Sequence, residues 1–373
     1  QAAWDLGKRS SQQIIEIYNL ENGEELRNIA ISIWATSTMR NGGEDIAQVL
    51  SLMGIQPIWE YSTSRLIDLE VIPLSVLGRP RVDVLTRVSG LFRDSFPQLI
   101  ELLHSAQLKL AGLKEDKKMN PYTKLTVDGF ITKRIFGSAP GSYGAGLQEL
   151  ISSSNWENKS ELVESYLCWS KWSYSSGDKH EENLDSLKCS LGQVQVVLQN
   201  QDNREHDILD SDDYYQFHGG LSASVEECSG KKPMTLIADH SRYSRPRVKS
   251  LNEEIDRVVR SRLLNPKWIN AMKSHGYKGA FEIGASIDYL FGYDATTNSV
   301  TDWTYKEIYE TYLNNKINKD FIASSNPWVL RDIAERLLEA SNRGLWERTD
   351  QNIINHIKII INSSESIIEN HKV

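Results

Sequence analysis

The sequence predicts an α/β protein, with an open, largely parallel sheet region followed by a mixed α/β, helix-rich carboxyl-terminal region. Two observations predict it. Short apolar runs of β type, at Asn28–Trp34, Val194–Leu198 and Met234–Ala238, each feed a polar loop. Around them stand longer stretches whose apolar residues recur at helical spacing.

Taken in order, Trp4 to Tyr18 reads as a helix, with Ile14, Ile15 and Tyr18 on one face. In Asn28–Trp34 the alternation of Ile29, Ile31 and Ile33 is that of a buried strand. The polar loop Ala35 to Asp45 follows, and then a helix carrying Ile46, Val49, Leu50 and Met53, stopped by Gly54. In an open α/β sheet such a loop lies at the carboxyl ends of the strands, where ligands bind, and Arg40 would strengthen an anion site there. It matches neither the dinucleotide fingerprint nor the P-loop consensus. Gln56–Trp59 and Val71–Leu74 read as short strands. Pro80–Ser89 is another, with Val82, Val84, Thr86 and Val88 on one face and Arg81, Asp83 and Arg87 on the other. That charged face fits either the solvated side of an edge strand or an arginine wall for substrate carboxylates. Pro97 opens a helix with Leu99, Ile100, Leu102 and Leu103.

From Ala111 to Asp128 the composition turns to Lys114, Glu115, Asp116, Lys117 and Lys118, then Asn120-Pro121. This surface connection places a boundary there, giving an α/β open-sheet domain at 1–115 and a mixed α/β and helical domain at 116–373. The glycine-rich segment Arg134–Gly146 permits close backbone approach, to a neighbouring strand or to a ligand. Leu147 stands where a phosphate-cradling loop would carry lysine. A helix at Trp156–Trp172 and a polar loop at Ser175–Asn183 precede the Val194 strand. Farther on, Ser250 with Glu253 and Pro266 after Asn265 open helices, and Asn326-Pro327 opens a last strong one. The aromatic stripe within Gly276–Tyr293 has the spacing of core. Ile353–Ile361 makes a packing helix, with fraying expected from Ser363.

At 373 residues the chain holds two cores. Its net charge of -8 excludes a broad nucleic-acid surface. No apolar run has the length of a membrane span. Cys168, Cys189 and Cys228 form no Cys-x-x-Cys, which suits a reducing, cytoplasmic setting and idle thiols. A chain opening on Gln1 reads as though it begins inside a larger protein. The densest chemistry follows the Val194 strand: Asp202, Glu205, His206, Asp207, Asp210, Asp212, Asp213 and His218. A solvated acidic loop is the bland reading. Tyr214, Tyr215 and Phe217 argue against disorder, and the carboxylates repel unless a cation sits among them. The Met234 strand likewise ends in Asp239-His240-Ser241-Arg242, with Arg245 and Arg247 beyond.

The segments Trp34-Ala35-Thr36-Ser37-Thr38-Met39-Arg40-Asn41-Gly42-Gly43-Glu44-Asp45-Ile46-Ala47, Leu77-Gly78-Arg79-Pro80-Arg81-Val82-Asp83, Arg134-Ile135-Phe136-Gly137, Gly141-Ser142-Tyr143-Gly144-Ala145-Gly146-Leu147-Gln148, Gln199-Asn200-Gln201-Asp202-Asn203-Arg204-Glu205-His206-Asp207, Asp239-His240-Ser241-Arg242 and Asn265-Pro266-Lys267-Trp268 carry a resemblance. The chain resembles the carboxyl-terminal part of the large subunit of cobaltochelatase, CobN type, in the family that includes the magnesium chelatase H-type chain. Asn-Arg-Glu-His-Asp is closer to the cobalt branch. The family's large chain is several times longer, and the connection from Lys109 to Thr132 is shorter here. The resemblance implies insertion of Co²⁺, as substrate metal, into hydrogenobyrinic acid a,c-diamide, a corrin-ring precursor of cobalamin. It implies AAA+ ATPase partner subunits that hydrolyse ATP with its Mg²⁺, which agrees with the missing P-loop motif. A magnesium chelatase H-type subunit and a non-catalytic tetrapyrrole-binding module are the alternatives. Metal insertion strips waters from a cation and removes ring N–H protons, so it needs weak ligands and a base. On that footing Glu205, His206 and Asp207 are the catalytic candidates, and Asp202, His206, Asp210 and His240 the metal-handling ones. Arg40, Arg81, Arg87, Arg134, Tyr143, Arg242, Arg245 and Arg247 are the candidates for binding the ring.

Overall fold

In strand β1 (Asn28–Ile33), Ile29, Ile31 and Ile33 fall on one face and Ala30 and Ser32 on the other, and both faces are covered. The computed structural model describes residues 1–63, 65–124, 126–127, 130–131, 133–176 and 179–371. Among the described residues seven strands join β1 in one sheet: β2 (Asp83–Val88), β3 (Ile135–Gly137), β4 (Trp172–Tyr174), β5 (His180–Glu182), β6 (Val196–Gln201), β7 (Met234–Asp239) and β8 (Arg247–Ser250). Their order is β8-β7-β6-β1-β2-β3-β4-β5. The run from β7 to β3 is parallel throughout, and β8, β4 and β5 pair antiparallel at the margins. The expected α/β class and largely parallel sheet are therefore present.

Register carries one apolar face across the sheet. Ile29 stands opposite both Val84 and Val196, and Ile31 opposite Leu198. These side chains share a core with Ile14 and Ile15 of helix α1 (Ala2–Asn22) and with Val49, Leu50 and Met53 of helix α3 (Glu44–Met53). Between β1 and α3 lies the short helix α2 (Ala35–Asn41). Gly42 and Gly43, at φ of 71° and 95°, make the corner from α2 to α3 in the left-handed region that only glycine enters without strain.

Strand β2 is not an edge strand. It lies between β1 and β3 with all six residues buried, so its charged face is internal. The hairpin after α3 pairs Ile55–Trp59 with Leu66–Val71, earlier than expected, and Leu74–Leu77 is helical rather than extended. Pro73, which has no N–H to give a ladder, stands at that change.

The chain divides into two units. The first comprises Gln1–Leu150, Asn155–Arg204 and Gln216–Ser250, and the second Ile151–Ser154, Glu205–Tyr215 and Leu251–Val373. A boundary at residue 115 does not fit this division. The eight-stranded sheet takes β1 and β2 from before that point and the rest from after it. Leu125, Asp128, Gly129 and Thr132 of the expected connection, and Gly177 and Asp178 of the expected Ser175–Asn183 loop, lie outside the described residues.

The second unit is helical, with Leu251–Val258, Pro266–Ser274, Tyr277–Thr297, Asp302–Ile308, Lys316–Ser325, Pro327–Asn342 and Gln351–His371. The last helix continues past Ser363, where fraying was expected, because Ile368 is still buried. Side chains of Asn265 and Asn326 accept from the N–H groups of Lys267 and Val329, and each is followed by proline in the first turn. Of the aromatic stripe expected as core, Phe291 and Tyr293 are fully buried while Tyr277 and Phe281 are 62% and 53% exposed, so only its carboxyl-terminal part is core, beside the buried Tyr305 and Tyr312. Tyr305 Oη donates to the buried Asp294 at 2.8 Å. Among the described residues no helix is long and apolar enough to cross a membrane.

Candidate functional site

In the first unit, β2 and β3 lie to one side of β1, and β6 and β7, reached later in the chain, lie to the other. The direction of winding therefore switches between β1 and β6, and in open α/β sheets the crevice beyond the carboxyl ends at such a point receives the ligand. The residues that leave the strands at that end are Trp34, Ser89, Ser138, Asp202 and His240. Trp34 Nε1 donates to Gln199 Oε1 across the switch at 3.1 Å. Arg40, at the end of α2, forks onto Asp202 with two contacts of 2.9 Å. Burial pushes the Asp202 carboxyl up, but hydrogen bonds from Arg40, Asn203 and Ser37 hold it below the usual carboxylate range.

Deeper at the same edge, a polar network joins α1, α3, β6 and β7. Asn200 Nδ2 donates to Asp45 Oδ1 at 2.8 Å and to Gln48 Oε1 at 2.7 Å. Gln48 Nε2 donates to Ser10 Oγ, which lies 2.8 Å from His240 Nε2. His240 Nδ1 is 3.2 Å from Glu44 Oε2. Burial raises the Asp45 carboxyl to about 6, while the Asn200 hydrogen bond and His240 pull the other way. His240, expected among metal-handling groups, is 3% exposed and belongs to this network.

The loop after β7 is held from two sides. Arg204 bonds Asp239 and Ser241, while Arg9 of α1 donates to the carbonyls of Tyr243 and Ser244 at 2.8 and 3.0 Å. Arg242 and Arg245 on this loop and Arg247 at the start of β8 are exposed.

Three of the expected ring-binding arginines are turned inward. Arg81 is 0% exposed, forks onto Glu115 with two contacts of 2.8 Å, and donates to the carbonyls of Met53, Gly54 and Ile72. Arg134 holds Asp83 through Nε at 2.9 and 3.0 Å. Arg87, 2% exposed, bonds Ser170 Oγ and the carbonyls of Val88 and Gly144, and its guanidinium lies 4.8 Å from the Phe217 ring centre. The charged face of β2 is thus a set of internal clamps. Arg93, which the sequence did not single out as a site residue, completes them by binding the carbonyls of Ser138, Ala139 and Ser142. Together Arg87 and Arg93 hold the glycine-rich loop at the carboxyl ends of β2 and β3. The approach is so close that a Cβ on Gly90 would lie 2.7 Å from the Ser142 carbonyl oxygen. Tyr143, 57% exposed, projects from that loop with its hydroxyl on Asp94 at 2.7 Å.

In the second unit, Glu205 and His206 are exposed and Asp207 and Asp210 half-buried. Arg262 is the cation among these carboxylates. It bonds Asp207 at 3.3 Å and Asp210 more closely, and lies 5.2 Å from the Trp268 ring centre. Burial raises the Asp207 carboxyl, Arg262 opposes this and Asp210 adds to it. A π-helical turn, Val259–Leu263, presents Arg262, and Tyr312 Oη ties that turn by donating to the Leu263 carbonyl at 2.5 Å. Arg262 lies 52 residues beyond Asp210, with no pattern in the sequence linking the two. Of the expected metal-handling residues, Asp202 and His240 belong to the first unit and His206 and Asp210 to the second. Among the described residues no three His, Cys, Asp or Glu side chains are grouped to hold a metal ion.

The family model described as CobN/Magnesium Chelatase matches residues 1–353. The chain belongs to the CobN/Magnesium Chelatase family. It is 44% identical over 361 residues to a protein of Pseudomonas aeruginosa named aerobic cobaltochelatase subunit CobN, covering 92% of this chain and 29% of that one. The H-type chain of magnesium chelatase from Chlorobaculum parvum is 33% identical over 380 residues, covering 99% of this chain and 30% of that one. The catalytic subunit of cobaltochelatase from Mycobacterium tuberculosis superposes with a TM-score of 0.95 at 39% identity, over 98% of this chain and 32% of that one. The chain thus spans about three-tenths of the length of these CobN-family relatives.

Proposed function

We propose that this chain is the tetrapyrrole-handling catalytic portion of an ATP-dependent cobaltochelatase, a cytoplasmic enzyme that inserts Co²⁺ into hydrogenobyrinic acid a,c-diamide in cobalamin biosynthesis. The observation that carries the cobalt reading is the identity of 44% to the CobN relative against 33% to the magnesium-chelatase relative over matching spans. AAA+ ATPase subunits supply the work, hydrolysing ATP with its Mg²⁺. In this proposal Arg242, Arg245 and Arg247, with Arg40 and Tyr143 at the same strand ends, meet the ring's peripheral carboxylates. Glu205, His206, Asp207 and Asp210 pass the metal or accept protons. A carboxylate run neutralised by one arginine suits transient passage, since a tight cage would retain the cation.

In the complete complex, His206→Ala and Asp207→Ala are each expected to slow Co²⁺ insertion about tenfold or more and to raise the cobalt concentration needed; wild-type rates in both would remove this assignment. Co²⁺ and Mg²⁺ supplied in competition, with each ring in turn, separate the cobaltochelatase from the magnesium chelatase reading. Ring binding without insertion when partners and ATP are present would favour a non-catalytic module. For the exposed arginines, an absorbance titration of the ring should show binding weaker by about tenfold or more when Arg242, Arg245 and Arg247 are all changed to glutamine, with a shallower salt dependence. Unchanged affinity would leave them outside the ring site.

A further inference from the structure

The network behind the switch point is built of atoms that accept hydrogens. Asn200 gives both of its amide hydrogens away, to Asp45 Oδ1 and Gln48 Oε1, so its Oδ1 faces elsewhere and has no hydrogen-bond partner. Asp45 Oδ2, in a residue 1% exposed, has none either. Glu44 Oε2 meets His240 Nδ1 at 3.2 Å, but off the line of a hydrogen bond. Ser10 Oγ accepts from Gln48 Nε2 and lies 2.8 Å from His240 Nε2, which leaves the Nδ1 edge of the imidazole facing Glu44. Three unpartnered or poorly partnered acceptor oxygens, at Glu44, Asp45 and Asn200, are thus gathered inside the carboxyl end of the sheet. Buried acceptors in that state are costly, and native interiors satisfy nearly all of them. What such a site takes up is a hydrogen.

We propose that Asp45 is a proton-holding residue of this site, oriented by Asn200 and Gln48, which takes up one of the protons released when a metal ion enters the ring. The inference rests on the chelatase reading. As the ring nitrogens bind a divalent cation the inner N–H bonds break, one in a corrin and two in a porphyrin, and each such proton leaves. One becomes the carboxyl hydrogen of Asp45, turning carboxylate into acid, and passes to solvent before the next cycle; in a porphyrin the second passes directly to solvent. Asp45 does not touch the ring. Glu44, next to it on the first turn of α3 and with a side chain 11% exposed, is the outward end of the pair. The charged groups around Asp45 are Glu44 from its own helix, His240 from the end of β7, and Asp202 from the end of β6, itself bound to Arg40. A carboxyl raised to about 6 is largely ionised at neutral pH and close enough to it to take a proton and return it.

Two measurements test this. Infrared difference spectra of the chain across pH should show a carboxylic-acid stretch that titrates near pH 6 and is missing in Asp45→Asn. The amide introduced by that substitution keeps an oxygen for Asn200, so the fold is retained. In the complete complex, Asp45→Asn should lower the turnover of insertion about 100-fold with KM for the ring unchanged and flatten the acid limb of the pH profile, while Asp45→Glu restores part of the rate. Absence of any titrating band that Asp45→Asn removes overturns the proposal, as does a wild-type rate and pH profile in Asp45→Asn. Failure of the wild-type complex to insert metal overturns the chelatase reading and this proposal with it, whereas insertion by wild type with an unchanged rate and pH profile in Asp45→Asn overturns the proposal alone.

Discussion

Arg262→Ala should destabilise the second unit by about 3 kcal/mol, the scale of removing one partner from a buried ion pair. The reason is the company it leaves. Asp207 and Asp210 each retain about a fifth of their side-chain exposure and share this one guanidinium, which is itself held against Trp268. Without it, two carboxylates face each other in a partly desolvated loop. The pH dependence has a defined sign. Burial already holds the Asp207 carboxyl above its ordinary value in the presence of Arg262, and removing the cation raises it further. A carboxyl whose folded value is raised disfavours the ionised native state, so the defect is full above that raised value, fades as the pH falls through it, and is gone below the unfolded-state value. Urea unfolding of Arg262→Ala and wild type at about pH 7.5 and about pH 4 measures it. Adding Asp207→Asn and Asp210→Asn to Arg262→Met should recover most of the loss, because no charge is then left unpaired. An equal loss at both pH values would show that packing against Trp268, not charge, sets the effect.

The fold class was legible because its signals are local. Ile29, Ile31 and Ile33 alternate as a doubly covered strand must, and Ile46, Val49, Leu50 and Met53 recur at helical spacing before Gly54, so strand and helix could be placed from adjacent residues, whereas Ala35–Asn41, expected as polar loop, is the short helix α2. The edge-strand alternative for β2 failed for a physical reason. Period-two alternation separates the two faces but does not say whether the polar one meets water, and here Asp83 and Arg87 meet Arg134, Ser170 and carbonyl oxygens. The boundary at 115 failed similarly. A Lys- and Glu-rich stretch looks like a connector, yet Glu115 is the largely buried counter-ion of Arg81. At the candidate site the sequence pointed to Asp202, Asp207, Asp210 and His240, and predicted that a cation must sit among the acids. That Arg40 takes Asp202 while Arg262 takes Asp207 and Asp210 depends on contacts 162, 55 and 52 residues apart, which no local pattern encodes. Asp45 and Asn200 stood within the family segments, but their burial, and so their chemistry, follows from the packing of α1 and α3 against β6 and β7.

Arg81→Ala should be as costly, at about 3–5 kcal/mol, and should leave ring affinity unchanged in whatever fraction folds. Two jobs are lost together. Arg81 is the buried partner of Glu115, whose side chain is 17% exposed, and it also donates to the carbonyls of Met53 and Gly54 where α3 ends. Those carbonyls have no partner within the helix, and the negative end of the helix dipole points at them, so a guanidinium there both satisfies and neutralises. Arg79 supports it by binding Ser51 and Leu52, and burial beside Arg81 lowers its own value to about 10. Lysine offers a point charge rather than a planar fork, so Arg81→Lys should restore only part of the stability. Arg81→Met with Glu115→Leu should restore more, since neither leaves a buried charge. Chemical denaturation of these variants beside wild type, with a ring titration on each, separates the two roles: a large stability loss at constant affinity assigns Arg81 to the end of α3, whereas a selective loss of ring affinity at wild-type stability would return it to the substrate. The first outcome also bears on Asp45, because α3 carries Arg81's carbonyl partners at one end and the proton-holding carboxyl at the other.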